Sequence, residues 1–271
     1  MKESKLSSLT KELFENYIKD GLTVTKIGKL FNVSTASVSQ KAKKLGITFP
    51  KKETFDINIF DTIDTEEKAY WLGFLYADGC VYNSPHHYIL SLSLKSSDYN
   101  HVKKFKDFLK DKRDNSIIKN STISRKDKIY EESRYVICSK HLVEKLSNYG
   151  CIPRKSLKLT FPNENIFKEK NLIIDFIRGY IDGDGCLCKK HNRLYISILG
   201  TFEFLSGVKK YFPVFSSIRK HGNIYVVECG CGSADKIAMT LYNNATIYLD
   251  RKFIKFTQLC KLYKGDVKNL G

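Results

Sequence analysis

Apolar residues recur along this chain with two different spacings, and the change from one to the other predicts helices and strands. In LTKELFENYIKDG and HVKKFKDFLK they return every three or four positions, as on one face of a helix. In YILSLSLK and RLYISIL they alternate with polar residues, as in a strand with one buried face. The chain therefore combines amphipathic helices with short, half-buried strands.

Residues 1–49 show the helical spacing three times and contain no strand pattern. The first apolar face closes at Gly21, a residue that suits the left-handed end of a helix. The second face, with Ile27, Leu30 and Phe31 in the predicted core, leads into a tight turn where Ser34 is placed to cap a third helix. Three short helices joined in this way resemble a helix-turn-helix domain.

The exposed face of the third helix carries small polar side chains and lysines. Such groups reach base edges and phosphates when a helix of this kind lies in the major groove. The segment is also basic, because residues 1–52 hold 11 Lys against 4 acidic residues. Three-helix domains also bind proteins, so both roles stay open. The candidate DNA-binding residues are Thr35, Ser37, Ser39, Gln40 and Lys43.

Two longer apolar stretches, YWLGFLYADGC and FIRGYIDGDGC, follow a common plan. Asp64 and Glu67 predict a capping box at the start of the first helix. The same helix is predicted to end at a left-handed Gly79, and the second copy at Gly185. The chain thus contains two helices of the same design.

Small residues recur at matching places in these two helices. Residues four positions apart share a helical face, and small side chains there let two helix backbones approach closely. We therefore expect the two helices to cross at these positions. The residues are Gly73 and Ala77 in the first copy and Gly179 and Gly183 in the second.

The predicted crossing brings Asp78 and Asp184 to the same end of the helix pair, because each precedes the closing glycine. There each carboxylate meets the negative end of a helix dipole and a second like charge. A divalent cation between them would offset both effects, and phosphodiester hydrolysis uses such a cation. One Asp-Gly pair is usually only a turn, but two copies with matched small residues favour a shared metal site.

The nine-residue stretches WLGFLYADG and IRGYIDGDG resemble the repeated motif of the double-motif LAGLIDADG homing endonucleases, and the similarity covers about residues 62–265. The resemblance implies an α+β fold in which two pseudo-symmetric αββαββα halves meet at the motif helices, behind a small all-α helix-turn-helix domain. The implied boundaries are 1–49 for the helix-turn-helix domain, 50–62 for a linker, 63–165 for endonuclease half 1 and 166–271 for half 2.

The same resemblance implies the site residues. Asp78 and Asp184 match the family's Mg²⁺ ligands at the scissile phosphates, where Mn²⁺ or Ca²⁺ can substitute in binding. Lys155 and Lys252 look like its peripheral active-site lysines, although lysines that merely steer phosphates are an alternative. Lys95 matches a polar active-site position of the family.

Two departures from the pattern predict unequal half-sites. At the position of Lys95, half 2 offers Leu199 or Gly200. Tyr76 stands where the motif usually has an acid, as the second copy has at Asp182. Both penultimate acids are nevertheless present, so we expect cleavage with unequal rates on the two strands.

The charge of the chain indicates a polyanionic partner. It carries 46 Lys and Arg against 29 Asp and Glu, a formal net charge of +17, and such a field attracts nucleic acid. One sheet per half would lie along the major groove. The resemblance to the double-motif family implies a monomer that binds double-stranded DNA with a long asymmetric site. Candidate DNA-binding residues in or beside the predicted hairpins are Lys119, Arg125, Lys126, Lys128, Arg134, Arg193, Arg219 and Lys220.

Other classes of protein are less well supported. No apolar stretch suits a membrane span and no signal-peptide core is present, so we expect an intracellular protein, cytoplasmic or nucleoid-associated, with an organellar or phage origin left open.

The eight cysteines are expected to be reduced and mostly buried. Zinc is a weaker alternative, since structural sites usually have longer spacings than C-x-C. Its four ligands would be Cys186, Cys188, Cys229 and Cys231.

Together with these patterns, the resemblance implies a Mg²⁺-dependent, sequence-specific endonuclease that makes a staggered double-strand cut. A non-cleaving DNA-binding regulator of the same fold is one alternative, and an intron-encoded RNA splicing factor is another. Intact acids in both motifs weigh against the regulator, and the helix-turn-helix pattern favours DNA over RNA. The target site, and an intron, intein or free-standing origin, are not encoded in these patterns.

Overall fold

The computed structural model describes residues 6–49, 54–85, 87–125 and 128–263. Contacts within the chain divide it into two compact units, Met1–Glu53 and Thr54–Gly271. None of the helices formed by the described residues combines the length and the apolar character needed to cross a bilayer.

The first unit is a three-helix domain, as the spacing of apolar residues predicts. Its helices are α1 (Lys11–Lys19), α2 (Val24–Phe31) and α3 (Thr35–Lys44). A hydroxyl side chain accepts a backbone N–H at the start of each helix, and at α3 the donor is the N–H of Ser37 and the acceptor is Ser34. The buried core residues of this unit are Leu9, Phe14, Ile27, Val38 and Ala42.

Two residues, Asn32 and Gly28, allow the tight turn between α2 and α3. Asn32 adopts the left-handed conformation with φ of 50°, which asparagine tolerates better than most residues. Gly28 lets the turn fold back, because a Cβ there would lie 2.9 Å from the carbonyl oxygen of Val33. Leu30 is 63% exposed, so its predicted place in the core is wrong. Ile27 and Phe31, four residues apart, supply the inner face of α2 as predicted.

The second unit consists of two similar halves, each with a four-stranded antiparallel sheet. The strand order is β1-β2-β4-β3 in half 1 and β5-β6-β8-β7 in half 2. Half 1 comprises α4 (Glu66–Ala77), β1 (Gly79–Ser84), β2 (His87–Lys95), α5 (Tyr99–Phe108), β3 (Lys119–Arg125), β4 (Lys128–Cys138) and α6 (Lys140–Asn148). Half 2 comprises α7 (Leu172–Asp184), β5 (Gly185–Lys190), β6 (Arg193–Gly200), α8 (Phe202–Tyr211), β7 (Arg219–His221), β8 (Ile224–Gly230), α9 (Cys231–Tyr242) and α10 (Asp250–Leu259).

This order confirms the α+β fold of two αββαββα halves, to which half 2 adds α10. Part of the predicted linker, 50–62, belongs to the second unit instead. The side chains of Ile59 and Phe60 are buried in its core, and the carbonyl of Thr54 accepts the N–H of Lys112. Those two apolar side chains are more stable inside the core than in a solvated linker.

The motif helices α4 and α7 cross in close backbone contact, as their small residues predict. A Cβ added at Gly73 would lie 1.9 Å from the carbonyl oxygen of Phe176, and one at Gly179 would lie 2.0 Å from that of Tyr70. A Cβ at Gly183 would lie 2.3 Å from the Cβ of Ala77. The two halves therefore share one hydrophobic core, which is built around this crossing.

The ends of the motif helices differ from the sequence-based prediction. Thr65, and not Asp64, caps α4, and Asp64 binds the side chains of Thr62 and Lys68. Gly185 is extended, with φ of −79° and ψ of 161°, and Gly79 also opens a strand. Neither glycine is left-handed. A glycine is needed at both positions, because a Cβ would lie close to a carbonyl oxygen in the preceding helical turn, at 2.6 Å for Gly79 and 2.7 Å for Gly185.

The register of the sheets aligns the two halves. The first two strands of each sheet pair in the same way, with an offset of 106 residues (185 − 79). This offset aligns Lys95 with Thr201, so the alignment with Leu199 or Gly200 is wrong. The sequence could not show this, because the correspondence is set by strand pairing and not by the spacing of charges.

Half 1 carries a short 3-10 turn, Ser96–Asp98, between β2 and α5. In half 2, β6 leads into α8 through Thr201 alone, so these two helices are offset by 103 residues (202 − 99) instead of 106. Asp98 and Thr201 therefore both precede the helix, although only half 1 has the additional turn.

Candidate active site

The crossing of the motif helices places Asp78 and Asp184 at the same end of the helix pair. Asp78 follows the last residue of α4, and Asp184 is the last residue of α7. A Cβ at Gly183 would lie 3.2 Å from the Oδ2 atom of Asp78, so the carboxylate of one half lies against the motif helix of the other. The structure thus brings together the two acids that the sequence predicted.

Burial is the main penalty on the charge of these two acids, and the like charge expected from the sequence adds to it at Asp78. Burial and, second, the nearby charge of Asp184 raise the pKa of Asp78, the charges of Lys252, Lys155 and Arg251 lower it, and the net result is a pKa of about 6. The pKa of Asp184 is also raised, because the surrounding protein replaces part of its water. The site therefore disfavours its own negative charge and would gain from a bound cation.

Replacing Asp78 with asparagine is expected to stabilise the metal-free protein at neutral pH. The pKa of Asp78 in the folded protein is about 6, against about 3.9 in an unfolded chain. Its contribution to stability is therefore fully present below pH 4 and is lost as the pH rises through 6. In EDTA we expect Asp78→Asn to melt about 3–6 °C above the wild type at pH 7.5, with little difference at pH 4. An equal shift at both pH values would contradict this assignment.

The two candidate lysines lie beside these acids and bind backbone carbonyls. Lys155 donates to the carbonyl of Gly79. Lys252 donates to the carbonyls of Ile181 and Gly185, the latter at 2.5 Å. Lys252 is 3% exposed, and burial lowers its pKa to about 8. Each lysine thus places a positive charge at the carbonyl end of a motif helix, where it holds the turn that carries the acid.

A pair of carboxylates is a sparse set of metal ligands. Among the described residues, no group of three or more His, Cys, Asp and Glu side chains could hold a metal ion. Mg²⁺ keeps several waters and is commonly bound by one or two carboxylates together with substrate phosphates. Asp78 and Asp184 fit this kind of binding, and a cation between them would offset the cost that burial places on their negative charge.

A cleft of about 680 Å³ opens beside Asp78 in half 1, and Lys95 lines it. The Lys95 side chain is exposed and faces Glu132 on the neighbouring strand. Arg251 reaches the same cleft from half 2, and its Nε–H donates to Asp98 at 2.9 Å. Sequence reasoning missed Arg251, although an Arg-Lys pair recurs in both halves and its lysine was identified.

The acidic position that differs between the two motifs is structural. The carboxylate of Asp182 is fully buried and accepts hydrogen bonds from Tyr70 Oη, Tyr242 Oη and the N–H of Leu249, at 2.7, 2.6 and 2.7 Å. In half 1, Tyr76 is also buried, and its hydroxyl donates to a backbone carbonyl. Both side chains form their hydrogen bonds inside the protein core. The difference between the motifs at this position therefore does not alter Asp78 or Asp184, the two catalytic candidates.

The sheet of half 1 has an open face with basic and polar residues. Strand pairing places Lys119 opposite Arg134, and both side chains are exposed. The same face carries Ser93 and Lys95, because side chains on one face recur every second residue. Lys126 and the side chains of Arg125 and Lys128 lie outside the described residues.

The sheet of half 2 places only part of the predicted set on its open face. Arg193 lies there, next to Lys190. Arg219 forms an ion pair with Glu228, which neutralises part of its charge. Lys220 follows Arg219 directly in β7 and therefore projects from the opposite face. Both residues lie in the predicted hairpin, but only Arg219 is on the open face, because adjacent residues of a strand project from opposite faces.

In the first unit, the predicted recognition face of α3 is largely available. Thr35, Ser39, Gln40 and Lys43 are exposed. Ser37 is half-buried and lies 2.8 Å from the hydroxyl of Ser34, so its side chain belongs to the helix cap.

The cysteines do not form the alternative zinc site. Cys186 and Cys188 lie on the open face of their sheet, whereas Cys229 is buried on the core side. The thiols therefore point to opposite faces. The expectation that the cysteines are mostly buried is also wrong, because three are buried and four are exposed. The exposed ones include Cys80 and Cys186, which directly follow the two Asp-Gly pairs.

Comparison with known proteins supports the architecture. No family model matches the sequence. No curated protein matches it. Among solved structures, the homing endonuclease I-WcaI bound to its DNA recognition sequence is similar over 79% of this chain and 96% of that chain, with 12% identity and a TM-score of 0.50.

Two further solved structures are similar at lower TM-scores. The LAGLIDADG homing endonuclease I-GzeII in complex with its DNA target is 10% identical over 70% of this chain and 90% of that chain, with a TM-score of 0.44. Full-length DUF199/WhiA from Thermatoga maritima is 15% identical over 79% of this chain and 69% of that chain, with a TM-score of 0.42. The strand order, the crossing of the motif helices and the similarity to I-WcaI show that the chain has the fold of the LAGLIDADG homing endonucleases.

Proposed function

We propose that this protein is a sequence-specific DNA endonuclease of the homing type, which hydrolyses both strands of a duplex to give a staggered cut. The observation that carries the proposal is the juxtaposition of Asp78 and Asp184, one from each half, at the same end of two crossing helices. Two carboxylates from related halves suit two phosphates of opposite strands, because the strands of a duplex are themselves related by approximate twofold symmetry.

Asp78 and Asp184 would hold divalent metal, with Mg²⁺ the natural ion and Mn²⁺ or Ca²⁺ able to replace it in binding. Such an ion neutralises charge at the phosphate and favours loss of a proton from water. Lys155 and Lys252 hold the backbone on which the two acids sit. Lys95 supplies a positive charge on the open side of half 1, where a phosphate can reach it.

The expected partner is double-stranded DNA with a long, asymmetric site. Basic and polar residues on the open sheet faces suit contact with a duplex, and I-WcaI, which has the same fold, was solved bound to its DNA recognition sequence. The exposed face of α3 would extend the target or anchor the enzyme beside it. Both halves are part of one chain, so a monomer suffices.

The direct test uses supercoiled plasmids that carry a library of candidate targets, incubated with the full chain in Mg²⁺ or in EDTA. We expect linear product from specific plasmids in Mg²⁺ only. We also expect the affinity for the recovered target to fall steeply between 50 and 200 mM salt, as for a protein with many phosphate contacts. Specific binding without nicking would favour a non-cleaving regulator, and preference for a folded RNA would favour a splicing factor.

A further inference from the structure

We propose that Arg251, oriented by Asp98, forms a phosphate-binding subsite that belongs to only one of the two half-sites. The inference rests on the proposed endonuclease function and deepens it. It assigns the scissile-strand phosphate at half 1 as the ligand of Arg251, and it predicts which structural feature makes the two strands react at different rates.

The geometry of Arg251 leaves its binding groups available. Its Nε–H donates to Asp98 Oδ2 at 2.9 Å, and no other bond from Arg251 to a described residue is present. The two terminal nitrogens of the guanidinium remain available, and their planar fork matches two oxygens of a phosphate. The Asp98 side chain is 8% exposed and that of Arg251 is 48% exposed, so a buried anchor holds an accessible cation.

The guanidinium group of Arg251 lies in the cleft beside Asp78, where we expect the phosphate to react. Arg251, Asp98, Lys95 and Asp78 line the same cleft. Arg251 comes from the start of α10 in half 2, whereas the other three residues belong to half 1. The half-1 site is therefore composite, and a phosphate beside Asp78 would meet positive charge from both halves.

Half 2 lacks the corresponding arrangement. Arg154 precedes Lys155 as Arg251 precedes Lys252, but Arg154 is exposed and forms no ion pair with any part of the chain that the structure describes. Thr201 stands at the helix start where half 1 has Asp98, and its hydroxyl donates to the carbonyl of Leu159. The additional turn Ser96–Asp98 is what supplies the anchoring carboxylate, and only half 1 has it.

An ion pair between two halves can also serve only to hold them together. That role is less suited to Arg251, because Lys104 and Asp250 already join α5 to the start of α10 at 2.7 Å. Exposed ion pairs of this kind contribute little to stability. Lys104 therefore provides a matched control, since it also spans the two halves but does not line the cleft of Asp78.

The test is cleavage of the recovered target duplex with a different label on each strand. We expect Arg251→Gln to slow nicking of one strand about tenfold to a hundredfold, the range for loss of a charge-assisted phosphate contact, and the other strand less than about threefold. Arg251→Lys and Asp98→Asn should slow the same strand by smaller factors. The control Lys104→Gln should change neither strand by more than about twofold, and thermal melting confirms that every variant folds.

The outcomes separate this inference from the proposed function. If the wild type cleaves but Arg251→Gln slows both strands equally, or leaves the strand ratio unchanged, the subsite is refuted and the endonuclease proposal stands. If Lys104→Gln shifts the strand ratio as strongly, the effect is structural and the subsite is also refuted. A wild type that cleaves no duplex would overturn both proposals.

Discussion

Replacing Asp78 or Asp184 with asparagine is expected to lower double-strand cleavage by at least about a thousandfold while DNA affinity changes little. Asparagine preserves the shape of the side chain but carries no charge. The single remaining carboxylate therefore neutralises less of the charge of a divalent ion and cannot hold it as two carboxylates do. Loss of electrostatic stabilisation at one point of a reacting centre typically costs about a hundredfold to a thousandfold, and loss of a metal costs more. Single-turnover cleavage in Mg²⁺ and binding of the target in Ca²⁺ measure the two quantities separately.

The result depends on which acid is removed, and Glu131 provides the control. Glu131 lines the same cleft as Asp78 but belongs to β4 and not to a motif helix. Glu131→Gln should therefore cleave within about threefold of the wild type, because it removes a negative charge without removing a metal ligand. Cleavage by Asp78→Asn at a rate close to that of the wild type would show that the motif acids are not the metal ligands.

The crossing helices and their acids could be predicted because each motif carries its own signals within a dozen residues. Gly73 and Gly179 mark a close approach, and Asp78 and Asp184 end their helices, whatever lies elsewhere in the chain. The expected end of each helix was only partly correct. The sequence predicts a left-handed glycine, whereas in the structure the glycine avoids contact with the helical turn that precedes it.

The features that sequence reasoning missed depend on contacts between distant parts of the chain. Arg251 and Asp98 are 153 residues apart in sequence, and no local pattern links them. A shift of one position decides the face of a strand, which separates Lys220 from Arg219. The alignment of Lys95 with Thr201 likewise requires the register of both sheets.

Substitution of alanine for Gly179 or Gly73 is expected to be the most destabilising of the small changes in this protein. The added methyl carbon would lie 2.0 Å from the carbonyl oxygen of Tyr70 at Gly179, and 1.9 Å from that of Phe176 at Gly73. Both obstacles are backbone atoms in helices, which cannot rotate away as a side chain does, so the helices must separate. Separation opens the core that the two halves share, and we expect a loss of about 3–5 kcal/mol in the free energy of unfolding.

Chemical denaturation of the full chain measures this loss, and Gly232→Ala in α9 serves as the control. No heavy atom lies within 4 Å of a Cβ at Gly232, so the control should change stability by less than about 1 kcal/mol. The double variant Gly73→Ala/Gly179→Ala should lose less than the sum of the single changes, because one separation of the helices relieves both contacts. The same separation moves Asp78 away from Asp184, so residual folded protein should cleave poorly even at saturating Mg²⁺. A loss below about 1 kcal/mol for Gly179→Ala would mean that α4 and α7 do not cross at this glycine in solution, and the shared metal site would lose its structural basis.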